Sequence, residues 1–456
     1  MCGSFEITKS NTYKGIKMFF DNNILLHTES AKKLYAQIKY LPIVDYHCHL
    51  DQNKIAKDTV FTDIGELWLS GDHYKWRAMR MCGVDEKYIT GNASYKEKFI
   101  KYAEIMPELI GNPLYYWTHF ELKKLFKICE PLNAKSAERI YDFANKKLQN
   151  LSVLKLLDLF KVEYVATTDD PCDSLNKHGK YGNTVVAPTF RPDKAYNPSE
   201  YTEKLEKAVE RKITTASEYF NALIERLDYF VSKGCKITDH GFEKFPEEYI
   251  DDFTAEKLFA RKDSLNEKER EQFFGWLLVK LAKEYRKRNL VMQLHFAVVR
   301  NNNTEMYKQC GADSGFDLIS EAQGVKGVIK FLNQITDEER PNIILYTLND
   351  SNLAELAAVT GAFRNVRMGA AWWFNDTLKG IKYNLDMIAE YSVLGTNLGM
   401  LTDSRSFSSY SRFDFFRRIL CDYVGEKVES GEYDESSAVD LLENICYNNA
   451  KAIVGE

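Results

Sequence analysis

The sequence has few cysteines, and their spacing excludes two common kinds of site. Nine cysteines are scattered through 456 residues, and none stands in a Cys-x-x-Cys pair. An odd number of separated cysteines is typical of reduced thiols and does not fit a disulfide framework or a cysteine zinc site. We therefore expect a reducing compartment, with the cytoplasm as the location.

Several other features are missing. No apolar run approaches the roughly 20 residues needed to cross a bilayer, and the start lacks the apolar core and cleavage site of a secretory signal. A net charge of -5 gives no electrostatic reason to expect binding to nucleic acid or to an anionic membrane. No GxxxxGKS/T loop, strand-linked GxGxxG or GxSxG elbow is present, so nucleotide cofactors and a serine-hydrolase elbow are not expected.

The sequence does contain eight short apolar or β-branched runs, most of them followed by helical pattern, as over 200–233, 265–288 and 408–429. With 45% hydrophobic residues, this pattern predicts an α/β fold, a (β/α)8 barrel of the TIM type. The predicted strands are 43–50, 162–168, 184–190, 235–240, 290–297, 342–348, 365–372 and 397–403.

One interval departs from this alternation of strand and helix patterns. Residues 52–160 show amphipathic helix pattern and no convincing strand, which predicts a helical insertion after the first barrel strand. We therefore divide the chain into an N-terminal segment with the first strand (1–51), the helical insertion (52–160), and the remainder of the barrel with the C-terminal helices (161–456).

Polar residues follow the predicted strands, and in such barrels the loops after the strands carry the chemistry. In VDYHCHLD, His47 and His49 lie one residue apart and are expected to point the same way, with Cys48 opposite. Such a pair could bind one cation, or it could be two hydrogen-bonded histidines at a strand end. Other polar residues at strand ends are Thr167, Thr168, Asp169, Asp170, Arg191, Asp239, His240, His295, Arg300, Asn349, Asp350, Trp372, Trp373, Asp403 and Arg405.

A third metal ligand is expected near the histidine pair. Strands 1 and 8 are neighbours in a closed barrel, so Asp403 should lie beside the pair, although an N-cap of the next helix is the alternative role. His295 could be a further ligand, a hydrogen-bond donor to substrate, or a core histidine. A site with two histidines and one Asp leaves positions open on a divalent ion.

Three arginines, Arg191, Arg300 and Arg405, follow predicted strands. Guanidinium groups suit carboxylates, so together with a cation they favour a small polyoxygenated anion as ligand. The alternative for Arg191 and Arg405 is bracing of loops through carbonyls and Asp193 or Asp403.

Two aromatic stretches could close such a site. Residues 67–83 could fold over the rim as a lid that carries Tyr74, or form a surface helix with Trp68 and Trp76 buried. Trp372 and Trp373 could wall a sugar-sized pocket or belong to the core.

Longer motifs give the sequence a family resemblance. From about residue 24 to the C-terminus it resembles the uronate isomerases (glucuronate isomerases) of the amidohydrolase superfamily. The family tends to have proline soon after the second histidine, where this chain reads Asp51-Gln52-Asn53. The matching motifs are DYHCHL, GDHYKWRAMR, IGNPLYYWTHFEL, TTDDPCDSL, FRPDKAYN, RNNN, WWFND and GMLTDSRSFSSYSRFDFFRRILC.

The resemblance implies a distorted barrel enzyme that interconverts D-glucuronate with D-fructuronate and D-galacturonate with D-tagaturonate in sugar-acid catabolism, often as a homo-oligomer. It implies that His47, His49 and Asp403 hold one divalent metal, with Zn²⁺ expected. The residues it assigns to contact with or processing of the sugar acid are His73, Tyr74, Arg191, His295, Arg300 and Arg405.

Isomerisation moves one proton from C2 to C1 and another between two oxygens, through an enediolate. Asp403 or a hydroxide on the metal would accept the C2 proton, and Tyr74 or His295 would relay protons at the oxygens. Arg405 and the metal would stabilise the developing charge, while the remaining two arginines, Arg191 and Arg300, hold the carboxylate.

Two other functions compete with this interpretation. A metal-dependent hydrolase of the same superfamily, acting on a small anionic substrate, would use a similar ion and aspartate. A non-catalytic sugar-acid binding protein would keep ligand binding after chelation.

Overall fold

Seven of the eight predicted strands are present in the computed structural model, which describes residues 19–321 and 324–455. Most are a few residues shorter than predicted, and three short strands are additional. The strands are β1 (Ile43–Asp45), β2 (Val162–Ala166), β3 (Gly179–Tyr181), β4 (Thr184–Ala187), β5 (Ile237–Gly241), β6 (Val291–Phe296), β7 (Val298–Val299), β8 (Leu318–Ile319), β9 (Asn342–Thr347) and β10 (Val366–Met368).

Helices occupy most of the chain between the strands. Two π-helical turns, Leu122–Phe126 and Asn444–Asn448, extend α6 and α18. The α-helices are α1 (Glu29–Ile38), α2 (Gln52–Ala56), α3 (Ile64–Leu69), α4 (His73–Met81), α5 (Tyr95–Ile105), α6 (Pro113–Glu121), α7 (Ala137–Leu148), α8 (Val153–Phe160), α9 (Pro198–Val209), α10 (Ala216–Ser232), α11 (Asp252–Phe259), α12 (Glu267–Lys287), α13 (Thr304–Cys310), α14 (Lys326–Leu332), α15 (Leu353–Ala362), α16 (Leu378–Tyr391), α17 (Ser411–Glu429), α18 (Glu435–Glu443) and α19 (Asn449–Val454).

The strands form two four-stranded sheets with the orders β1-β2-β4-β3 and β5-β6-β9-β10. Their neighbours pair in parallel except β3, which forms an antiparallel hairpin with β4. Phe190 joins the two sheets through parallel bridges to Asp169 and Thr238. Seven parallel strands therefore run in chain order, and their carboxyl ends meet at one rim. The predicted α/β class is confirmed.

The predicted strand over 397–403 is wrong. The segment has no strand pairing, and Gly399 and Asp403 have positive φ angles of 69° and 44°, which interrupt an extended strand. It still lies beside β1, because the Asp403 N–H donates to the carbonyl of His47 at 3.1 Å. The segment is therefore irregular chain beside β1, and the described strands do not close into a ring.

Residues 52–160 contain α2–α8 and one isolated bridge between Val60 and Ser152. Their apolar side chains pack with α1 and α17 in one buried cluster, while the sheets and helices α9–α12, α14 and α15 pack mainly in another. The predicted helical character of this interval is confirmed, and the division of the chain into three domains stays a prediction.

The helical segments predicted from pattern are also confirmed. The segment 200–233 is split into α9 and α10 because Glu210 adopts a left-handed conformation with φ 54°. Thr215 and Glu218 then form a capping box that starts α10, and Asn266 and Glu269 do the same for α12.

In the part of the chain that the structure describes, no helix combines the length and the apolar character that a membrane span requires. In that part, Cys48, Cys82, Cys172, Cys235, Cys310, Cys421 and Cys446 are free thiols, as the spacing predicts.

Candidate active site

A cavity of about 570 Å³ opens at the carboxyl ends of the strands. It brings together all but one of the site residues predicted from the sequence, and the exception is Tyr74. The predicted residues that line it are His47, His49, His73, Arg191, His295, Arg300, Trp372, Trp373, Asp403 and Arg405. These side chains come from loops that are far apart in sequence and that the parallel strands deliver to the same rim.

His47, His49 and Asp403 form one tight group. His47 Nε2 lies 3.1 Å and His49 Nε2 lies 3.0 Å from the same oxygen, Asp403 Oδ1. The N-cap alternative for Asp403 is wrong, because its other oxygen accepts the indole N–H of Trp372 at 3.0 Å and the next helix begins only at Ser411. Two imidazoles and one carboxylate oxygen therefore face one point.

Main-chain contacts hold this group in register. The Asp45 carboxylate, at the end of β1, accepts both the backbone N–H and the hydroxyl of Thr402, at 3.0 and 2.6 Å. The His49 N–H donates to the carbonyl of Ser404 at 3.0 Å. Cys48 points away and contacts the carbonyl of Ala166, so the predicted opposite orientation of Cys48 and the two histidines is confirmed.

A second group shares His47. Asp239, the middle residue of β5, lies 2.7 Å from His295 Nδ1 and 2.9 Å from Arg191 Nη1, and its Oδ2 lies 3.7 Å from His47 Nδ1. His295 ends β6, which pairs with β5 in parallel register. Asp239 is a functional candidate to which sequence reasoning gave no role, although its position near the end of a predicted strand was the available signal.

Buried charges set the protonation states of the two carboxylates. Burial by itself would raise the pKa of Asp403, but hydrogen bonds with His47 and His49 hold it well below its usual range. Burial likewise opposes ionisation of Asp239, whose pKa is held well below its usual range by Arg191 and His295. Both groups are therefore carboxylates, which is the form that binds metal ions.

The pKa values of the three histidines in these groups shift in different directions. Burial lowers the pKa of His49 to about 4 and also lowers that of His295. Burial alone would lower the pKa of His47 as well, but Asp239 and Asp403 raise it. The region between the carboxylates of Asp239 and Asp403 therefore favours a positive charge. A divalent cation carries more positive charge than a proton.

The donor set fits a metal ion. His47, His49 and Asp403 offer ligand atoms that all lie within 4.8 Å of one another, and so do His47, Asp239 and His295. The Nε2 atom of His295 is buried and has no hydrogen-bond partner among the described residues. Imidazole nitrogens and carboxylate oxygens are ligands of zinc and related divalent ions.

Each of the three arginines lines the cavity and also contacts a carboxylate. Arg191 Nε lies 2.7 Å from Asp193, which is the bracing contact expected as the alternative. Arg405 Nη2 lies 3.0 Å from the carboxylate of Asp313, so its ion-pair partner is Asp313 and not Asp403. No sequence pattern predicts Asp313 as a site residue, because its loop is positioned by contacts with residues that are far away in the sequence. Arg300 lies over the Trp373 ring at 5.0 Å and near Asp317.

The segment 67–83, for which a lid is one expectation, contains the end of α3 and the whole of α4. Asp72 caps the N-terminus of α4 and pairs with the buried ammonium of Lys75, which explains why a charged stretch can fold against the barrel. His73 lines the cavity, whereas Tyr74 lines a smaller adjoining cavity of about 150 Å³. Trp68 is fully buried and Trp76 is partly buried, so the packing expected for a surface helix is present as well.

Tyr74 lies behind the cavity wall in an aromatic and charged environment. Its ring stacks on His73 at 4.8 Å between centroids, and the buried guanidinium of Arg412 lies 5.2 Å from its ring. Arg412 in turn stacks on Trp117 at 3.8 Å. Burial and the charge of Asp403 raise the pKa of Tyr74 well above its usual range, so the phenol keeps its proton.

A family model described as glucuronate isomerase matches residues 16–454. A uronate isomerase of Brachyspira hyodysenteriae is 41% identical over 95% of this chain and 99% of its own length. The chain belongs to the uronate isomerase family. This agrees with the resemblance carried by the sequence motifs.

Solved structures of uronate isomerases share the fold. The uronate isomerase of Thermotoga maritima superposes with a TM-score of 0.93 at 34% identity, covering 96% of this chain and 100% of that one. For the glucuronate isomerase of Caulobacter crescentus the TM-score is 0.90 at 26% identity, with 96% and 97% covered. In this chain the Asp51 carboxylate caps α2 by accepting the N–H of Asn53 at 2.9 Å, in the loop where the sequence departs from the expected proline.

Proposed function

We propose that the cavity is the active site in which this enzyme interconverts D-glucuronate with D-fructuronate and D-galacturonate with D-tagaturonate. The observation that supports it most is the convergence of a His-His-Asp ligand group and three arginines on one cavity. The ligand group suits the hydroxyl and carbonyl oxygens of an open-chain sugar, and the arginines suit its carboxylate.

The metal ligands in this proposal are His47, His49 and Asp403, with Zn²⁺ as the expected ion. A divalent ion held by these residues would supply Lewis-acid stabilisation of negative charge on substrate oxygens. His49 has a partly exposed side chain on the cavity side, and His47 is buried behind it. The site is therefore open toward the cavity, as a catalytic metal site requires.

Proton transfer from C2 needs a base on the cavity wall. The two oxygens of Asp403 have different surroundings: Oδ1 faces the two histidines and Oδ2 faces the indole of Trp372. We propose that Oδ2 accepts the proton from C2 and returns it to C1, which leaves Oδ1 as the ligand atom. The low pKa of Asp403 makes it a weak base, so the transfer depends on stabilisation of the enediolate, which we assign to Arg405.

The second proton moves between the C1 and C2 oxygens. His295 is held through Nδ1 by the Asp239 carboxylate, and its Nε2 is left without a protein partner among the described residues. A carboxylate that orients an imidazole in this way fixes its tautomer and places the other nitrogen for proton transfer. We therefore assign the proton relay to His295, and we assign Tyr74, through its hydroxyl, to the exchange of this proton.

In this proposal the carboxylate of the substrate is bound by Arg191 and Arg300, which both line the cavity. Arg191 uses Nε and Nη1 for Asp193 and Asp239, so its Nη2 keeps donors for a ligand. Arg300 is partly exposed and reaches the cavity beside Trp373. His73 and the Trp372 and Trp373 rings would contact the hydroxyls and carbons of the sugar chain.

We also propose that the enzyme works in the cytoplasm as a homo-oligomer.

The test is incubation of the metal-loaded enzyme with D-glucuronate and, separately, D-galacturonate in D₂O. We expect loss of the aldose NMR signals, appearance of the ketose, and exchange of the C1 or C2 hydrogen. Lactone or amide cleavage without ketose would support the hydrolase alternative. Binding of uronate without conversion would support the binding-protein alternative.

A further inference from the structure

A second large cleft lies away from the active site. Its volume is about 510 Å³, and among the described residues it shares no lining side chain with the active-site cavity. We call it the basic cleft and define it by its cationic lining residues. These are Lys32, Lys39, Lys123, Lys124, Lys127 and Arg418.

The basic cleft has an excess of positive charge in a chain whose net charge is -5. Asp414 is the one acidic side chain among its described lining residues. Asp414 is already engaged, because it accepts the hydroxyl of Tyr35 and lies 3.3 Å from Arg418 Nε. The carboxylate therefore compensates the buried Arg418. Lys32 is paired with Glu29 at 2.6 Å, and Lys123 Nζ donates to the carbonyls of Phe20 and Asp21.

Three of these lysines, Lys39, Lys124 and Lys127, have no carboxylate partner among the described residues, and Lys127 Nζ donates to the carbonyl of Lys124 at 3.0 Å. Within the described chain, neither Lys39 nor Lys124 forms an ion pair, and Lys39 lies over the ring of the exposed Tyr40 at 4.9 Å. Burial lowers the pKa of Lys124, and the neighbouring cations Lys127, Arg417 and Arg418 lower it further against the opposite effect of Asp414. An anion in the cleft would relieve this repulsion.

The local backbone is unusual at the same place. Helix α6 ends in the π-helical turn Leu122–Phe126, which carries Lys123 and Lys124, and Lys127 follows with φ 62°. Single π-turns within helices are rare and often mark functional sites. The cleft is also built from three packed elements, since α1 and the end of α6 both pack against α17. Its cations are therefore brought together by the fold.

We propose that the basic cleft binds a small phosphorylated metabolite with at least two negative charges. Lysine ammonium groups are compact point charges that suit phosphate oxygens, and the volume is large enough for a sugar phosphate or a nucleotide. The exposed ring of Tyr40 at the rim provides an apolar surface for the organic part of the ligand.

The test is isothermal titration of the full chain with inorganic pyrophosphate at low ionic strength. The Lys39→Gln/Lys124→Gln variant should bind pyrophosphate about tenfold more weakly or worse, because two charge-assisted contacts are lost. The matched control is Lys146→Gln/Lys147→Gln, which removes the same charge from the exposed face of α7 and should leave the affinity unchanged. Turnover of uronate should be unchanged in both.

Equal pyrophosphate affinity in all three proteins would overturn the proposal, and so would absence of binding to the unmodified chain. The Lys39→Arg/Lys124→Arg variant, which keeps the charges, should restore most of the affinity. Thermal unfolding provides a check on folding: pyrophosphate should raise the Tm of the unmodified chain and of the arginine variant, and not that of the glutamine variant. A similar rise in Tm in the glutamine variant would contradict the assigned location.

Discussion

Asp239 lies 2.7 Å from the Nδ1 atom of His295, and both side chains are buried beneath the active-site cavity. The pairing joins two neighbouring parallel strands and leaves the opposite nitrogen of the imidazole without a protein partner among the described residues. This arrangement makes Asp239 a positioning residue for the proposed proton relay.

Replacement of Asp239 by Asn should therefore lower kcat by about 10²-fold or more, because the amide no longer fixes the tautomer of His295. The measurement is steady-state kinetics with D-glucuronate, with circular dichroism as a check of folding. Asp228→Asn on α10, a partly exposed site, is the control and should be neutral. A kcat within twofold of the unmodified enzyme would remove Asp239 from the mechanism.

Replacement of Tyr74 by Phe keeps the stacking on His73 and removes only the hydroxyl. We expect kcat to fall by about 10²-fold with little change in KM, since the hydroxyl acts in proton exchange and not in substrate binding. Tyr383→Phe, on α16 and partly exposed, is the matched control. If KM rises while kcat stays constant, Tyr74 is a binding residue instead.

The His49→Ala variant should lose metal, because His49 supplies one of three proposed ligands. Metal content per chain, measured by inductively coupled plasma mass spectrometry after dialysis, should fall well below that of the unmodified enzyme. His27→Ala is the control, since that side chain is largely exposed and pairs with Asp422. Full metal content in His49→Ala would show that the ion is held elsewhere.

Asp376 makes stability depend on pH. Burial raises its pKa from 3.8 to about 7, so the native state holds a proton that the unfolded state releases between these values. The stability contributed by this proton is fully present below about pH 4 and is lost as pH rises through about 7.

From pH 5 to pH 8, the free energy of unfolding of Asp376→Asn should therefore rise by about 3 kcal/mol relative to that of the unmodified protein. Urea unfolding of both metal-free proteins at pH 5 and pH 8 measures this difference in the free energy of unfolding. A difference between the two proteins that does not change with pH would contradict the assignment.

The sequence predicted much of the site because the key residues follow strand ends. His47, His49 and His295 follow strands that are visible as apolar runs, so their convergence required only the parallel barrel topology. Asp403 was placed correctly, although its segment is not a strand. The positive φ angles at Gly399 and Asp403 depend on local contacts with β1, and no apolar pattern reveals them.

Other features depend on tertiary contacts between distant segments. Asp313 reaches the cavity because Arg77 and Arg80 on α4 donate to the carbonyls of Gly315 and Ser314. Nothing in the sequence near residue 313 shows that its loop meets α4. The position of Tyr74 behind the cavity wall likewise depends on Trp117 and Arg412.

The location of the metal is the claim on which the proposed mechanism depends. Anomalous X-ray scattering from crystals of the zinc-loaded enzyme tests it most directly. We predict one peak per chain, bound by His47 Nε2, His49 Nε2 and Asp403 Oδ1. A peak between His47 Nδ1, Asp239 and His295, or no peak near Asp403, would contradict the account.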